Sequence, residues 1–169
     1  MTVWIWSDLH LGHEAVIKYE NRPFEGAPQM SQKLRKSWQE KVKSQDIIIN
    51  LGDIAFKSNK GDLTKVISNL PGRKWLILGN HDRGHSMAWW RDVGFERVYD
   101  FPIIYEKFYI LSHEPIYINQ SMPYVNIHGH THSSSSDHKQ MVNVSVEKTG
   151  YQPIDFELIK DRFKLGHEG

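Results

Sequence analysis

The chain has 169 residues, with 21 Lys and Arg against 20 Asp and Glu, and a formal charge of +1. This balance gives no support for broad nonspecific binding to nucleic acid or anionic membranes, although it leaves a local basic patch open. The chain contains no cysteine, which excludes disulfides and thiolate ligands, so any metal must be held by nitrogen and oxygen donors. The length suits one compact domain over residues 1–169, and a hydrophobic content of 39% predicts a folded core.

The amino-terminal sequence MTVWIWSDLHLG lacks the basic start and the long apolar stretch of a signal peptide. No run of the sequence approaches the roughly 18 apolar residues that a membrane-spanning helix needs. We therefore expect a cytoplasmic protein with no membrane partner.

In the first half of the chain, short apolar runs alternate with amphipathic segments. Apolar residues recur every four positions from Met30 to Val42, which predicts a helix packed on one face. Strands are predicted at 2–7, 46–53 and 74–82, and helices at 14–20, 30–42, 61–70 and 85–93. Such alternation favours parallel pairing of the strands.

The second half carries short β-rich runs separated by turn residues, and it ends in a predicted strand and a short helix at 153–163. The serine run at 133–136 is predicted to be a loop. A β-rich half that follows an alternating half indicates a second sheet facing the first. The predicted class is therefore α/β.

Polar residues that suit a metal site follow the predicted strands. They are Asp8, His10, Asp53, Asn80, His81, His113, His128 and His130. In open α/β sheets, ligands bind in the crevice beyond the carboxyl ends of the strands. The sequence therefore predicts that these groups meet along one rim.

The pieces of this pattern differ in specificity. Asp8 and His10 alone could be a turn aspartate and a surface histidine. The sequence VNIHGHTH is more specific, because alternate positions of an extended chain place His128 and His130 on one side. His132 is expected on the rim or in solvent, while His85, His138 and His167 are expected on the surface.

The ordered blocks resemble the signature motifs of the calcineurin-like metallophosphoesterases. The matching blocks are Asp8-x-His10, Gly52-Asp53, Gly79-Asn80-His81-Asp82, His113 and His128-Gly129-His130. The stretch SDLHLGHEAVIKYENRPF also resembles a small bacterial and phage subgroup of single-domain members. The resemblance implies a four-layer α/β/β/α sandwich of two facing mixed sheets, with a dinuclear metal site at the carboxyl ends of the strands.

The resemblance also implies roles for individual residues. Asp8, His10, Asp53 and His130 would hold the first metal, and Asp53, Asn80, His113 and His128 the second. His81 would be the catalytic acid that faces the phosphate. Carboxylate, imidazole and amide donors suit two divalent transition-metal ions, with Mn favoured and Fe, Zn, Co or Ni possible.

Other positions depart from the pattern or carry weaker predictions. Phe56 and Lys57 stand where phosphoprotein phosphatases of this superfamily have Asp and Arg, which argues against that activity. Arg22 and His13 are weaker candidates for substrate binding. The alternatives are a structural salt bridge for Arg22 and a turn residue at a helix start for His13. Asp82 receives no role as an orienting carboxylate.

The favoured function is a metal-dependent phosphoesterase that acts on a phosphodiester or a small nucleotide. Two cations about 3.5–4 Å apart would activate water and neutralise the phosphoryl oxygens. A phosphomonoesterase acting on a small molecule remains an alternative, as does a non-catalytic interaction scaffold. We expect no duplex nucleic acid partner, because 169 residues leave little room for a capping domain. The sequence leaves the oligomeric state open.

Overall fold

A computed structural model describes residues 1–135 and 138–164 of the chain. Two positions named in the sequence-based predictions, Ser136 of the serine run and His167, lie outside these ranges. Within them, the strands are β1 Val3–Trp6, β2 Ile47–Asn50, β3 Arg73–Ile77, β4 Arg97–Tyr99, β5 Ile103–Tyr105, β6 Tyr109–Leu111, β7 Val125–His128, β8 Met141–Asn143 and β9 Ile154–Asp155. The helices are α1 Glu14–Tyr19, α2 Ala27–Lys41, α3 Lys60–Ser68, α4 Met87–Val93 and α5 Phe156–Lys164.

The strands form two mixed sheets. The first has the order β4-β3-β2-β1-β9, with β1 to β4 parallel and β9 antiparallel to β1. The second has the order β5-β6-β7-β8, with an antiparallel β5–β6 pair and parallel pairs elsewhere. The predicted parallel pairing and the pair of mixed sheets are confirmed. The β-rich run near residue 100 is split between the two sheets. Strand β4 joins the first sheet, and β5, which follows Pro102, begins the second.

Helix α2 illustrates how the sequence pattern becomes packing. Its apolar residues Met30, Leu34 and Trp38 are fully buried against the first sheet, as their spacing predicted. The Trp38 indole donates a hydrogen bond from Nε1 to the carbonyl of Pro71 at 2.9 Å, so its polar atom is satisfied in the core. With 15 residues α2 is the longest helix in the described ranges, and none of those helices is both long and apolar enough to cross a membrane.

Two apolar cores flank the first sheet, which is therefore buried on both faces. Trp6 belongs to the core beneath the helices, whereas its neighbour Ile5 belongs to the core between the sheets. The second sheet contributes Leu111 and Ile127 to that inner core. Because side chains alternate along a strand, Asn126 lies on the outer face, where its Oδ1 accepts a hydrogen bond from the Ile116 backbone at 2.7 Å.

The helical cover is concentrated on the first sheet. In the described part of the chain, connecting segments lie on the outer side of the second sheet, and Gln140 ties two of them together by donating to the carbonyls of Met122 and Tyr124. Helix α5 instead places Phe156 and Ile159 in the core between the sheets. The carboxyl ends of β1, β2, β3, β6 and β7 lead into the polar segments described next.

Candidate metal centre

The predicted polar residues follow the strands through sharp turns of the backbone. Asp8, His10, Asp53, His130 and His132 have φ values of 61°, 51°, 57°, 66° and 47°. This left-handed region is uncommon for residues other than glycine, and such residues concentrate at functional sites. The turns direct side chains from both sheets toward one point.

Two glycines allow these segments to approach one another. A Cβ atom at Gly129 would collide with Ser7 Oγ and Asp8 Oδ2, and one at Gly79 would collide with Asp53 Oδ1. The collisions involve the carboxylates of the site and not flexible surface groups. Glycine is therefore required at both positions for close packing.

Asp53 occupies the middle of the cluster. Its Oδ2 atom lies 3.4 Å from His10 Nε2, and its Oδ1 atom lies 3.6 Å from His113 Nε2. Oδ1 also accepts a hydrogen bond from the His81 backbone at 3.0 Å. The two oxygens of one carboxylate thus face two different imidazoles, which separates the cluster into two donor groups.

The first donor group consists of Asp8, His10 and His132, whose ligand atoms all lie within 4.8 Å of one another. His10 is buried, and its Nε2 atom makes no hydrogen bond within the described ranges although Asp53 is close. Burial lowers the pKa of His10 strongly, and the charge of Arg22 lowers it further. A neutral imidazole with an unsatisfied buried nitrogen fits a divalent cation.

The second donor group consists of Asn80, His113 and His130. The His113 Nδ1 atom donates to the carbonyl of Leu51 at 2.7 Å, which leaves Nε2 as the lone-pair nitrogen of the neutral ring. That nitrogen lies 3.0 Å from Asn80 Oδ1 and 3.2 Å from His130 Nδ1. An amide oxygen and two imidazole nitrogens converge here, and these are donor types that transition metals accept.

The two acidic side chains supply negative charge at the centre. Asp8 and Asp53 are both buried and lie in one group with His113. Burial raises the pKa of Asp53, and the charge of Asp8 adds to the rise while His113 opposes it. Two buried carboxylates so close together are stabilised by positive charge, which bound cations would provide.

The structure corrects the prediction for His128 and for His132. His128 is the last residue of β7 and is buried, directly after Ile127 of the core between the sheets. It lines a cleft between β8 and α5 that contains none of the other predicted ligands. His132 was expected on the rim or in solvent, but its side chain is only 16% exposed and its ring stacks on His10 at 5.1 Å.

The ring of His130 also lies in a different donor group from the one predicted. It was expected beside Asp8 and His10, yet its ring contacts His113 and Asn80. Its backbone N–H still reaches the first group, because it donates to both carboxylate oxygens of Asp8 at 3.1 and 2.9 Å. His130 therefore connects the two groups, with its backbone on one and its ring on the other.

His81 and His13 lie on the open side of the cluster. The His81 side chain is 35% exposed, and its ring lies 5.2 Å from the ring of His10. His13 precedes α1 without capping it through its side chain. It stacks on Phe56 at 3.9 Å, and its Nδ1 atom lies 3.2 Å from His10 Nδ1. Both histidines are thus close to the first donor group.

Arg22 does not face the open side. Its side chain has no exposed surface and forms a salt bridge with Glu147 at 2.7 Å. It also donates to the carbonyl oxygens of Asp8 and Leu9 at 2.8 and 3.1 Å. The structural salt bridge that the sequence left as the alternative is therefore the observed arrangement, and the guanidinium is not available to a substrate phosphate.

Comparison with known proteins agrees with this geometry. The family model described as calcineurin-like phosphoesterase matches residues 1–168. The chain belongs to the calcineurin-like phosphoesterase family. Membership and the histidine–aspartate groups together support a metal-dependent phosphoesterase that uses divalent metal ions.

Relatives of this phosphoesterase occur in archaea, bacteria and phages. It is 30% identical to the uncharacterized protein MJ1445 of Methanocaldococcus jannaschii, over 97% of this chain and 92% of that protein. It is 32% identical to the gene 66 protein of Mycobacterium phage L5, over 87% of each chain. The crystal structure of AQ665, a protein of unknown function from Aquifex aeolicus, matches with a TM-score of 0.75 and 26% identity, over 95% of this chain and 98% of that one.

Asp82 was assigned no role from the sequence, although it stands within a signature block of the phosphoesterase. Its carboxylate is fully buried and accepts hydrogen bonds from the backbone of Asp53, Ile54 and Gly79 at 2.7, 3.1 and 2.9 Å. Burial raises the pKa of Asp82 to about 7, against the lowering effect of these hydrogen bonds. Asp82 thus joins the segments after β2 and β3 and fixes the position of Asp53.

Two further residues of the site were missed because they follow β8, beyond the recognised motifs. The Ser145 hydroxyl donates to Asp8 Oδ2 at 2.9 Å, and Glu147 Oε1 accepts from His132 Nδ1 at 3.1 Å. A serine and a glutamate in a β-rich run carry no motif of their own. The available signal was that Asn143, Ser145 and Glu147 alternate with the buried residues Val142, Val144 and Val146.

Proposed function

We propose that this phosphoesterase hydrolyses phosphodiesters, in small nucleotides or at flexible single-stranded ends, with two divalent transition-metal ions of which manganese is favoured. The observation that carries the proposal is the position of Asp53 between two groups of donors. A carboxylate with one oxygen toward each group suits a bridging ligand. A structural zinc site would be a closed set of four ligands, whereas seven side chains converge here.

The donor groups define the proposed ligand sets. Asp8, His10, Asp53 and His132 would hold the first ion, and Asp53, Asn80, His113 and His130 the second. When bound, such ions lower the pKa of water and withdraw charge from the phosphoryl oxygens. The chain itself supplies fixed positions, because Asp82, Ser145 and the carbonyl of Leu51 each hold one ligand residue by a hydrogen bond.

His81 is the proposed catalytic acid. Its backbone is anchored on Asp53, while its ring stands on the open side of the cluster and is 35% exposed. A substrate phosphate over the donor groups would therefore meet this imidazole. Protonated His81 would stabilise negative charge on the phosphoryl oxygens or give its proton to the leaving oxygen. His13, which stacks beside it on Phe56, is proposed as a weaker substrate contact.

The charges around the site favour a diester over a monoester. Arg22 forms a buried salt bridge with Glu147, and Arg83 forms a bidentate salt bridge with Glu114 on the surface. Neither guanidinium is free to clamp a phosphate dianion. A phosphodiester carries one negative charge instead of two, so it requires less cationic compensation from the protein.

The first test is hydrolysis of bis-p-nitrophenyl phosphate and p-nitrophenyl phosphate by metal-stripped protein to which Mn²⁺ is added. The proposal expects faster turnover of the diester. Faster turnover of the monoester would favour the alternative, a phosphatase acting on small molecules. No hydrolysis of either ester with Mn²⁺, Fe²⁺, Zn²⁺, Co²⁺ or Ni²⁺ would contradict the proposal and favour a binding scaffold.

A further inference from the structure

The segment 143–147, which follows β8, contacts the first donor group at several points. Ser145 donates its hydroxyl to Asp8, and Asn143 Oδ1 accepts from the Ser145 backbone at 2.9 Å. Asn143 Nδ2 donates to the carbonyl of His132 at 2.9 Å. The same segment therefore fixes the backbone of His132 and the carboxylate of Asp8, from a part of the chain that supplies no proposed ligand.

One carboxylate oxygen of Glu147 is contacted by three N–H groups. Its Oε1 atom accepts from His132 Nδ1 at 3.1 Å, from Arg22 Nε at 2.8 Å and from the Arg22 terminal nitrogen at 2.7 Å. The side chains of Arg22 and Glu147 are 0% and 5% exposed. A salt bridge so deeply buried costs desolvation energy that apolar residues would not require. Its position beside the metal centre indicates a role in the site.

The geometry also fixes which nitrogen of His132 faces the donor group. Since a carboxylate can only accept, His132 must donate from Nδ1, and the neutral ring then keeps its lone pair on Nε2. Nε2 lies 3.8 Å from Asp8 Oδ1 and is directed to the first donor group. Histidines that bind metals commonly donate their other N–H to a carboxylate, which orients the ring and raises its basicity.

We propose that Arg22 and Glu147 are positioning residues that orient His132 as a ligand of the first metal ion. This inference rests on the proposed function, because it assumes the two ligand sets given above. Arg22 binds Glu147 and the carbonyls of Asp8 and Leu9 together, so it sets the distance between the carboxylate and the first ligand block. In this arrangement neither residue would contact substrate or the metal ion directly.

Glu147 could instead be a metal ligand with Glu20 and His132, since these three residues also form a compact group. The charges argue against that assignment. The guanidinium of Arg22 already lies 2.7 Å from the glutamate oxygen, where it would repel a cation. The positioning role accounts for the arginine as well as the glutamate.

Glu147→Gln tests the role of the carboxylate charge, because glutamine keeps the shape and an acceptor oxygen. Mn²⁺ binding is measured by isothermal titration calorimetry, without substrate, on chelator-treated protein. We expect one of the two Mn²⁺ affinities to fall by about 10–100-fold while the other is unchanged. Glu96→Gln, which changes an exposed glutamate paired with Arg73, is the matched control and should leave both affinities intact.

A second variant separates positioning from folding. Glu147→Asp keeps the charge that balances Arg22 but withdraws the oxygen from His132, so it should fold and still weaken the same site. The melting temperature of the metal-free variants reports any structural loss, and the visible spectrum of Co²⁺-loaded protein reports a changed ligand environment. Two Mn²⁺ affinities within about twofold of wild type in both variants would overturn the proposal, since a positioning carboxylate is worth more than that.

The outcomes also distinguish this inference from the proposed function. Wild-type protein that binds two Mn²⁺ ions but hydrolyses neither ester would contradict the proposed function and leave the positioning role testable by calorimetry. Wild-type protein that binds no Mn²⁺ would overturn the positioning role directly. Selective loss of one Mn²⁺ site in both Glu147 variants would support it.

Discussion

The two sheets supply their parts of the metal centre in different ways. In the first sheet, Asp8, Asp53 and Asn80 come shortly after parallel strands, and the order of the strands brings them together. In the second sheet, His128 ends β7 while His130 and His132 lie beyond it in left-handed turns. The first sheet follows the strand-end rule, whereas in the second sheet the rule selects the right stretch but not the two histidines whose rings enter the cluster.

The difference shows where the periodicity of a strand stops being informative. Alternation sets His128 apart from its neighbour Ile127 of the inner core, and its ring lines a cleft beside β8 and α5 that holds none of the other predicted ligands. The positive φ values at His130 and His132 then redirect the chain, so their rings enter different donor groups. Side-chain direction beyond a strand end depends on individual backbone angles and not on a period of two.

The largest effect is expected at Asp53, the carboxylate that lies between the two donor groups. Asp53→Asn removes the charge between the two donor groups and should prevent binding of both metal ions. Because each ion contributes several kcal/mol of transition-state stabilisation, turnover should fall by more than about 10⁴-fold. Metal content is measured by mass spectrometry after gel filtration, with the exposed Asp92→Asn as control. Two retained ions would contradict the bridging position.

The contrast within the second sheet is tested by His132→Ala and His128→Ala. His132→Ala should lose one bound ion and about 10³-fold in turnover of the diester, because it removes a proposed ligand of the first group. His128→Ala should keep both ions and its turnover, since that ring lines a different cleft. Loss of an ion in His128→Ala with none lost in His132→Ala would restore the assignment based on alternation.

A smaller loss without a change in metal content is expected for His81→Ala. Removing a general acid lowers turnover by about 10²–10⁴-fold, while both donor groups stay complete. Turnover of bis-p-nitrophenyl phosphate is compared with that of wild type, together with metal content. Unchanged turnover would remove His81 from the catalytic residues. The first sheet would then contribute proposed metal ligands but no catalytic acid.

The smallest effect is expected at the amino-terminal ends of the first sheet's parallel strands, where the carboxylate of Asp46 precedes β2 and is expected to serve stability only. Asp46 accepts from the backbone of Thr2 and Lys43 and from the Trp4 indole. Burial raises the pKa of Asp46, but these hydrogen bonds outweigh it and lower the pKa below its ordinary value. Asp46→Asn should cost about 1–3 kcal/mol of unfolding free energy at pH 7 and leave metal binding unchanged.

The pH dependence of stability tests whether the pKa of Asp46 is lowered in the folded protein. A carboxyl group with a lowered folded-state pKa contributes stability above its unfolded pKa of about 3.9 and loses it as pH falls through the folded value. The stability difference between wild type and Asp46→Asn should therefore shrink in the acid range. Urea unfolding in the presence of chelator measures it at pH 7 and at pH 3. A difference that grows on acidification would contradict the assignment.

Much of the fold followed from local pattern. Apolar runs and four-residue spacing predicted the strands β1 to β3 and the helix α2, because both faces of the first sheet and one face of the helix are buried. Asp8, His10, Asp53, Asn80 and His113 were also predicted to meet, since parallel strands end at a common edge. Their metal-binding roles stay predictions.

What the sequence by itself determined is which strand ends carry chemistry; the tertiary structure decided which side chains face one another there. His132, and not His128, lies beside Asp8 and His10, because backbone turns override alternation past the end of β7. Arg22 lies inside the protein because it pairs with Glu147, which is 125 positions away along the chain. A contact of that separation leaves no local trace in the sequence, and only the packing of the two sheets brings its partners within hydrogen-bonding distance.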